Sequence, residues 1–235
     1  MKKLSLRERL HRFVPWFVLA SLILSAAFTA IRIIFAPSEA YGGEYEKLKS
    51  DYVLMLIQCL LGIFAMLLPS ILNHRFKIVI PHQMLLLYVI FLYCAIFLGE
   101  VRSFYYKVPY WDTILHAFSG GMLGALGFSL IGLLNNAEAV KLKMSPRFVA
   151  LFAFFFALAF GALWEIYEFT VDGLLSLNMQ KFALEDGTPL VGRAALFDTM
   201  KDLIVDTVGA FIVSIIGYFS LKRTPTWISG FEIRT

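Results

Sequence analysis

Charge is scarce in this chain. Only 16% of its 235 residues are Asp, Glu, Lys or Arg, and 59% are hydrophobic, whereas about a quarter of the residues of a soluble domain are charged. That excludes an ordinary soluble globular domain. Cysteine is scarce too. Cys59 and Cys94 are the only two; both fall mid-way along apolar runs, where cysteine packs as a small apolar residue, and no disulfide framework follows. Soluble linkers, low-complexity tracts, an obvious internal repeat, a nucleic-acid-binding motif and a Ser or Cys nucleophile motif are all missing from the sequence. Acyl-enzyme chemistry therefore has no support, and the net charge of +4 needs a source other than nucleic-acid binding.

Long apolar runs are what the chain does have. A bilayer core about 30 Å thick is crossed by about 20 apolar helical residues. Six stretches reach that length: 13–35, 52–73, 78–99, 113–134, 148–171 and 199–221. The expected fold is all-α, a polytopic transmembrane helical bundle forming a single integral membrane domain over 1–235. Lys2, Lys3 and Arg7 ahead of the first run, with Ser25-Ala26-Ala27 inside it, have the form of a signal peptide. The run continues to Phe35, however, which suits an uncleaved anchor better.

Lys and Arg accumulate on the cytoplasmic side of membrane proteins. Alternating crossings put residues 1–12, the Arg75/Lys77 loop, the 135–147 loop and the tail on one side, with thirteen basic residues and three acids. The opposite side, with its adjoining helix ends, has eight basic residues and fourteen acids. Both termini are therefore expected in the cytoplasm, and the basic balance reflects membrane insertion.

The outward acids are the main handle on function, because a carboxylate in hydrocarbon costs about 2.5–3.5 kcal/mol on insertion scales. Span four enters with Asp112 and His116, four residues apart and so on one helix face. Span five leaves with Glu165, Glu168 and Asp172, whose offsets of three and seven form one stripe. Span six enters with Asp198, Asp202 and Asp206, a ladder about 12 Å long on one face. Like charges at i,i+4 destabilise a helix, so bound cations, shared protons or bases such as Lys201, Arg193, Arg102 or Arg32 must offset them. Together Asp112, His116, Glu165, Glu168, Asp198, Asp202 and Asp206 form a candidate metal set. Hard oxygen ligands suit Mg²⁺, Ca²⁺ or Mn²⁺, and the imidazole keeps Zn²⁺ or Fe²⁺ open.

Small residues crowd the same region: Ser119, Gly120, Gly121, Gly124, Gly161 and Gly209. They suit close helix packing in lipid better than a wall thinned for a ligand. The connection 173–197 carries the turn signals Asp186-Gly187 and Thr188-Pro189, and Arg193 within it has the planar fork that fits phosphate. Arg193, Arg102, Trp111 and Trp164 are the residues expected to touch substrate.

Trp111-Asp112-x3-His116, Trp164-Glu165-x2-Glu168 and Asp198-x3-Asp202-x3-Asp206-x2-Gly209 resemble the YjdF family of bacterial multi-pass membrane proteins, over most of the chain. A weaker resemblance is to VanZ-like proteins, linked to low-level glycopeptide resistance. Their pattern falls on Asp112, His116, Glu165, Arg193, Asp202, Asp206 and Gly209, with Asp206 standing where that family has Asn. The resemblance implies a bacterial inner-membrane location and supplies no reaction.

Three functions remain open. The first is an outer-leaflet, divalent-metal-dependent hydrolase or headgroup transferase acting on a lipid or lipid-linked phosphate, with His116, Glu165 and Asp202 as its catalytic residues. The second is a cation- or proton-coupled transporter. The third is a noncatalytic lipid-binding or membrane partner with a structural polar site. Membrane lipids are the expected partners, nucleic acid is not, and protein partners are undetermined.

Overall fold

A computed structural model describes the backbone of residues 6–38, 47–136, 144–184 and 187–223. The basic residues at 141 and 143, Glu185, Asp186 and the tail from residue 224 lie outside the described residues. Among those described there are seven α-helices: α1 (Leu6–Phe35), α2 (Lys49–Phe76), α3 (His82–Leu92), α4 (Phe104–Lys107), α5 (Trp111–Asn136), α6 (Pro146–Leu175) and α7 (Arg193–Arg223). A π-helical segment, Tyr93–Val101, continues α3. The described residues contain no strand; Ala183 and Pro189 form an isolated bridge.

Six helical stretches are long and apolar enough to cross a membrane: Arg12–Phe35, Lys49–Phe76, His82–Val101, Trp111–Leu134, Pro146–Leu175 and Arg193–Arg223. The all-helical, six-span expectation therefore holds, with corrected ends. The third span begins at His82, because residues 77–81 are not helical. The fifth runs on to Leu175 and the sixth starts at Arg193, so the connection expected over 173–197 shrinks to 176–192. Hydropathy finds the stretch that matches the hydrocarbon, not the polar turns beyond it. A helix of 31 residues, such as α7, is about 46 Å long at 1.5 Å per residue, well over the core thickness.

Local chemistry sets several ends. The Asp51 carboxylate accepts a 2.7 Å hydrogen bond from Leu48 N–H ahead of α2, half of a capping box. Ser145 Oγ accepts from Phe148 N–H at 3.3 Å, with Pro146 as the first residue of α6, the usual pairing at a helix start. Pro15 and Pro69 interrupt α1 and α2 internally. Each removes one backbone donor, a loss that membrane helices tolerate where neighbouring groups re-satisfy the carbonyl.

Burial follows the membrane pattern. Trp16, Leu24, Phe35 and Leu174 are 70–76% exposed, whereas Glu165, Asp202 and Asp206 are 2–5% exposed. An apolar exterior around a polar interior suits lipid.

The chain separates into two compact units. Unit 1 comprises Met1–Leu68, Leu86–Trp111 and Ile166–Thr199; unit 2 comprises Pro69–Leu85, Asp112–Glu165 and Met200–Thr235. In unit 1, Ala36, Tyr52 and Met55 form one buried cluster, and Leu54, Leu177 and Met179 another. Buried Asp172 accepts hydrogen bonds from Met179 N–H at 2.8 Å and Gln180 N–H at 3.0 Å, so it clamps the connection that follows α6. Lys181 lies 5.2 and 5.1 Å from the ring centres of Tyr105 and Tyr106, a cation–π seat that gives these two tyrosines a packing role. In unit 2, Phe128, Ile131, Val149 and Ala153 make the apolar core of α5 and α6.

Candidate metal centre

Close helix approach builds the site in unit 2. A Cβ added at Gly120 would lie 2.8 Å from the Asp206 carbonyl oxygen, and one at Gly209 would lie 2.7 Å from that of Ala117. Neither α5 nor α7 could stand so near the other with larger residues at these positions. At Gly161 on α6 the obstacle is the Asp206 carboxylate itself, 2.6 Å from an added Cβ. The packing reading of the small residues is thus the one the geometry favours.

This spacing places the Asp206 carboxylate beside His116. Asp206 Oδ2 is 3.3 Å from His116 Nδ1, and Asp206 Oδ1 is 3.3 Å from the Ser119 hydroxyl, which donates its shorter bond, 2.9 Å, to the His116 carbonyl. The other ring nitrogen, Nε2, faces two further carboxylates: Asp112 Oδ1 at 3.7 Å and Asp202 Oδ2 at 3.8 Å. Lys201 sits behind them, with Nζ 3.4 Å from Asp112 Oδ2 and 3.4 Å from Asp202 Oδ1. Each of these two carboxylates thus turns one oxygen to the lysine and the other to the imidazole.

Among the described residues, Asp112, His116 and Asp202 are the set whose ligand atoms all lie within 4.8 Å of one another. Bonds of 2.0–2.2 Å to a tetrahedral ion separate ligand atoms by about 3.3–3.6 Å. The observed His–Asp separations need a contraction of only a few tenths of an ångström. With Nε2 as the ligand, Nδ1–H donates to Asp206, which is the carboxylate–histidine arrangement that fixes the tautomer and ring orientation at metal sites. The site is half-closed, with the His116 side chain 11% exposed and that of Asp112 23%.

The remaining expected residues are placed as follows. Glu165 is buried in unit 2 but is not one of the three within 4.8 Å. Glu168 and Asp198 are half-buried and belong to unit 1. Arg193 heads α7 and is exposed, and Trp164 is exposed on α6. Trp111 donates from Nε1 to the Cys94 carbonyl at 3.2 Å and meets Phe104 edge-on at 5.1 Å; these contacts anchor the start of α5. Arg102 lines a separate pocket in unit 1. Sequence reasoning had Ser119 only as a small residue, although its position three residues after His116 puts its hydroxyl on the same side of α5.

A curated relative from Thermotoga maritima, an "Uncharacterized protein", is 30% identical over 122 residues, which are 52% of this chain and 54% of that one. The chain thus spans about half the length of this relative. No solved structure matches. A family described as "Predicted membrane protein (DUF2238)" matches residues 14–223. The YjdF resemblance corresponds to that family, and the VanZ-like pattern finds no counterpart in these matches. With all but the first two residues of the six spans inside the matched region, the chain is a multi-pass membrane protein belonging to the DUF2238 family.

Proposed function

We propose that this protein is a divalent-metal-dependent enzyme of the bacterial inner membrane, with both termini cytoplasmic, that hydrolyses or transfers the phosphate-bearing headgroup of a lipid or lipid-linked substrate. One observation carries the reading. His116 Nε2 and single oxygens of Asp112 and Asp202 converge, while Asp206 takes the opposite ring nitrogen. Asp112, His116 and Asp202 hold the ion; Asp206 and Ser119 orient the imidazole. One imidazole and two carboxylates suit Mn²⁺ or Zn²⁺ better than Mg²⁺ or Ca²⁺. A divalent ion there supplies Lewis acidity toward a phosphoryl oxygen and makes a bound water more acidic. Glu165 is the residue left for proton transfer.

Helix length supports a headgroup substrate. Asp202 stands nine residues, about 13 Å, inside the start of α7. A helix of that length places this turn near the boundary between hydrocarbon and headgroups. Below Asp206 the buried face of α7 continues through Ala210, Ser214 and Gly217, with no further ionisable group, which speaks against a transport path.

The test is release of phosphate or headgroup from a panel of phospholipids and lipid-linked phosphates by purified full-length protein loaded with Mn²⁺ or Zn²⁺. Turnover abolished by chelation and by Asp202→Asn, with wild-type expression and fold, supports the proposal. Turnover indifferent to chelation, or no turnover on any phosphate-bearing lipid, sinks it. A second reading has its own observation: Lys201 already bridges Asp112 and Asp202, which would make the cluster a structural ion-pair knot of a noncatalytic membrane partner. Lys201→Gln separates the two. A metal centre keeps its ion and its fold in this variant; a knot loses stability and holds no metal in either form.

A further inference from the structure

Unit 1 contains a pocket of about 320 Å³ that the metal reading does not use. Among the described residues its lining has two cations, Lys47 and Arg102, and no acid; the rest is apolar or aromatic, chiefly Phe28, Tyr52, Met55 and Phe97. The cationic end is preorganised. Lys47 Nζ donates to Ser103 Oγ at 2.7 Å, and Ser103 is itself buried, in a left-handed backbone conformation (φ 59°). Tyr52 is fixed in the wall by Arg32, whose Nε donates to its hydroxyl at 3.1 Å and whose guanidinium lies 5.2 Å from its ring centre. Arg32 adds a third positive charge in the last turn of α1. Arg102 follows the π-helical segment directly, and its side chain is exposed.

We infer that this pocket binds the phosphate of an anionic phospholipid, with Arg102 and Lys47 on the phosphate and the first methylenes of an acyl chain against Phe28, Met55 and Phe97. This is independent of the metal reading. A lipid is the occupant this lining fits. A guanidinium pairs with a phosphodiester through two parallel hydrogen bonds. The volume is at the low end of ligand sites, enough for a headgroup and a short length of chain. The apolar wall includes Phe28, which is 52% exposed two turns before the end of a membrane-crossing helix; that suits a hydrocarbon chain and offers nothing to a soluble anion.

The test uses full-length protein in a neutral detergent. Retained lipid is counted by native mass spectrometry, and thermal unfolding is followed with added phosphatidylglycerol, phosphatidylcholine or inorganic phosphate. The expected result is about one retained phosphatidylglycerol per chain and stabilisation by that lipid alone. Arg102→Gln and Lys47→Gln should each lower retention tenfold or more, while Arg75→Gln, a basic residue in the last turn of α2 and outside the pocket, should leave it unchanged. Size-exclusion profiles matching wild type establish that the variants fold. Equal retention of phosphatidylcholine, wild-type retention by folded Arg102→Gln, or the same stabilisation by inorganic phosphate would each overturn the assignment. Asp202→Asn should keep the lipid, so this result and that for the metal centre are read separately.

Discussion

Gly161→Ala is the sharpest packing test of the candidate centre. The added methyl carbon would stand 2.6 Å from Asp206 Oδ2, with Asp206 Cγ at 3.2 Å and Cβ at 3.3 Å. Ordinary contact begins near 3.4 Å, so the carboxylate or the helix must yield by up to 0.8 Å. Asp206 Oδ2 is already 3.3 Å from His116 Nδ1, and a retreat of half an ångström would end that hydrogen bond. Overpacking costs about 1–3 kcal/mol, offset in part by the helical preference of Ala over Gly, about 0.5–1 kcal/mol. Gly132→Ala on α5 is the matched control. Nothing lies within 4 Å of its added Cβ, so only the favourable part remains. The two variants should differ by about 1–3 kcal/mol in thermal or denaturant unfolding of the full chain in detergent. Gly161→Ala should also weaken Mn²⁺ or Zn²⁺ binding by about 10–100-fold, the usual effect of losing an outer partner of a histidine ligand. Indistinguishable stability and metal affinity in the two variants would show that Asp206 does not lie against α6 and does not orient His116.

Asp172→Ala removes both side-chain acceptors of the Met179 and Gln180 amides. It should cost about 1–3 kcal/mol and raise deuterium exchange at residues 177–184 while α5 is unaffected; unchanged exchange there contradicts the clamp. A fluorescent or enzymatic reporter fused after Thr235 should report a cytoplasmic terminus, as the Lys and Arg distribution requires. Activity of a periplasm-only reporter at that position would reverse the assigned sidedness.

The spans could be read from sequence because about 20 apolar residues are a thermodynamic requirement of crossing, not a preference. Their ends could not, because α6 and α7 continue into polar turns that hydropathy ignores. The centre was legible where spacing alone decides: Asp112 with His116, and Asp202 with Asp206, are i,i+4 pairs, and a helix has no freedom to separate them. Grouping Glu165, Glu168 and Asp198 with them needed knowledge of how each stripe is turned, which depends on contacts such as Gly120 against the Asp206 backbone. The Asp172 clamp escaped for a similar reason, since its partners are backbone amides seven and eight residues away, in a connection without periodicity. The π-helical segment Tyr93–Val101 has no signature in a run that is apolar up to Glu100.

The proposed centre is one imidazole and two carboxylates, from α5 and α7, closing on a single cation. Pulsed electron paramagnetic resonance of the full chain loaded with one equivalent of Mn²⁺ tests this directly. The prediction is coupling to one imidazole nitrogen, lost in His116→Gln while the ion is still held weakly by Asp112 and Asp202. Stoichiometric Mn²⁺ with no nitrogen coupling, or coupling that survives His116→Gln, would contradict it.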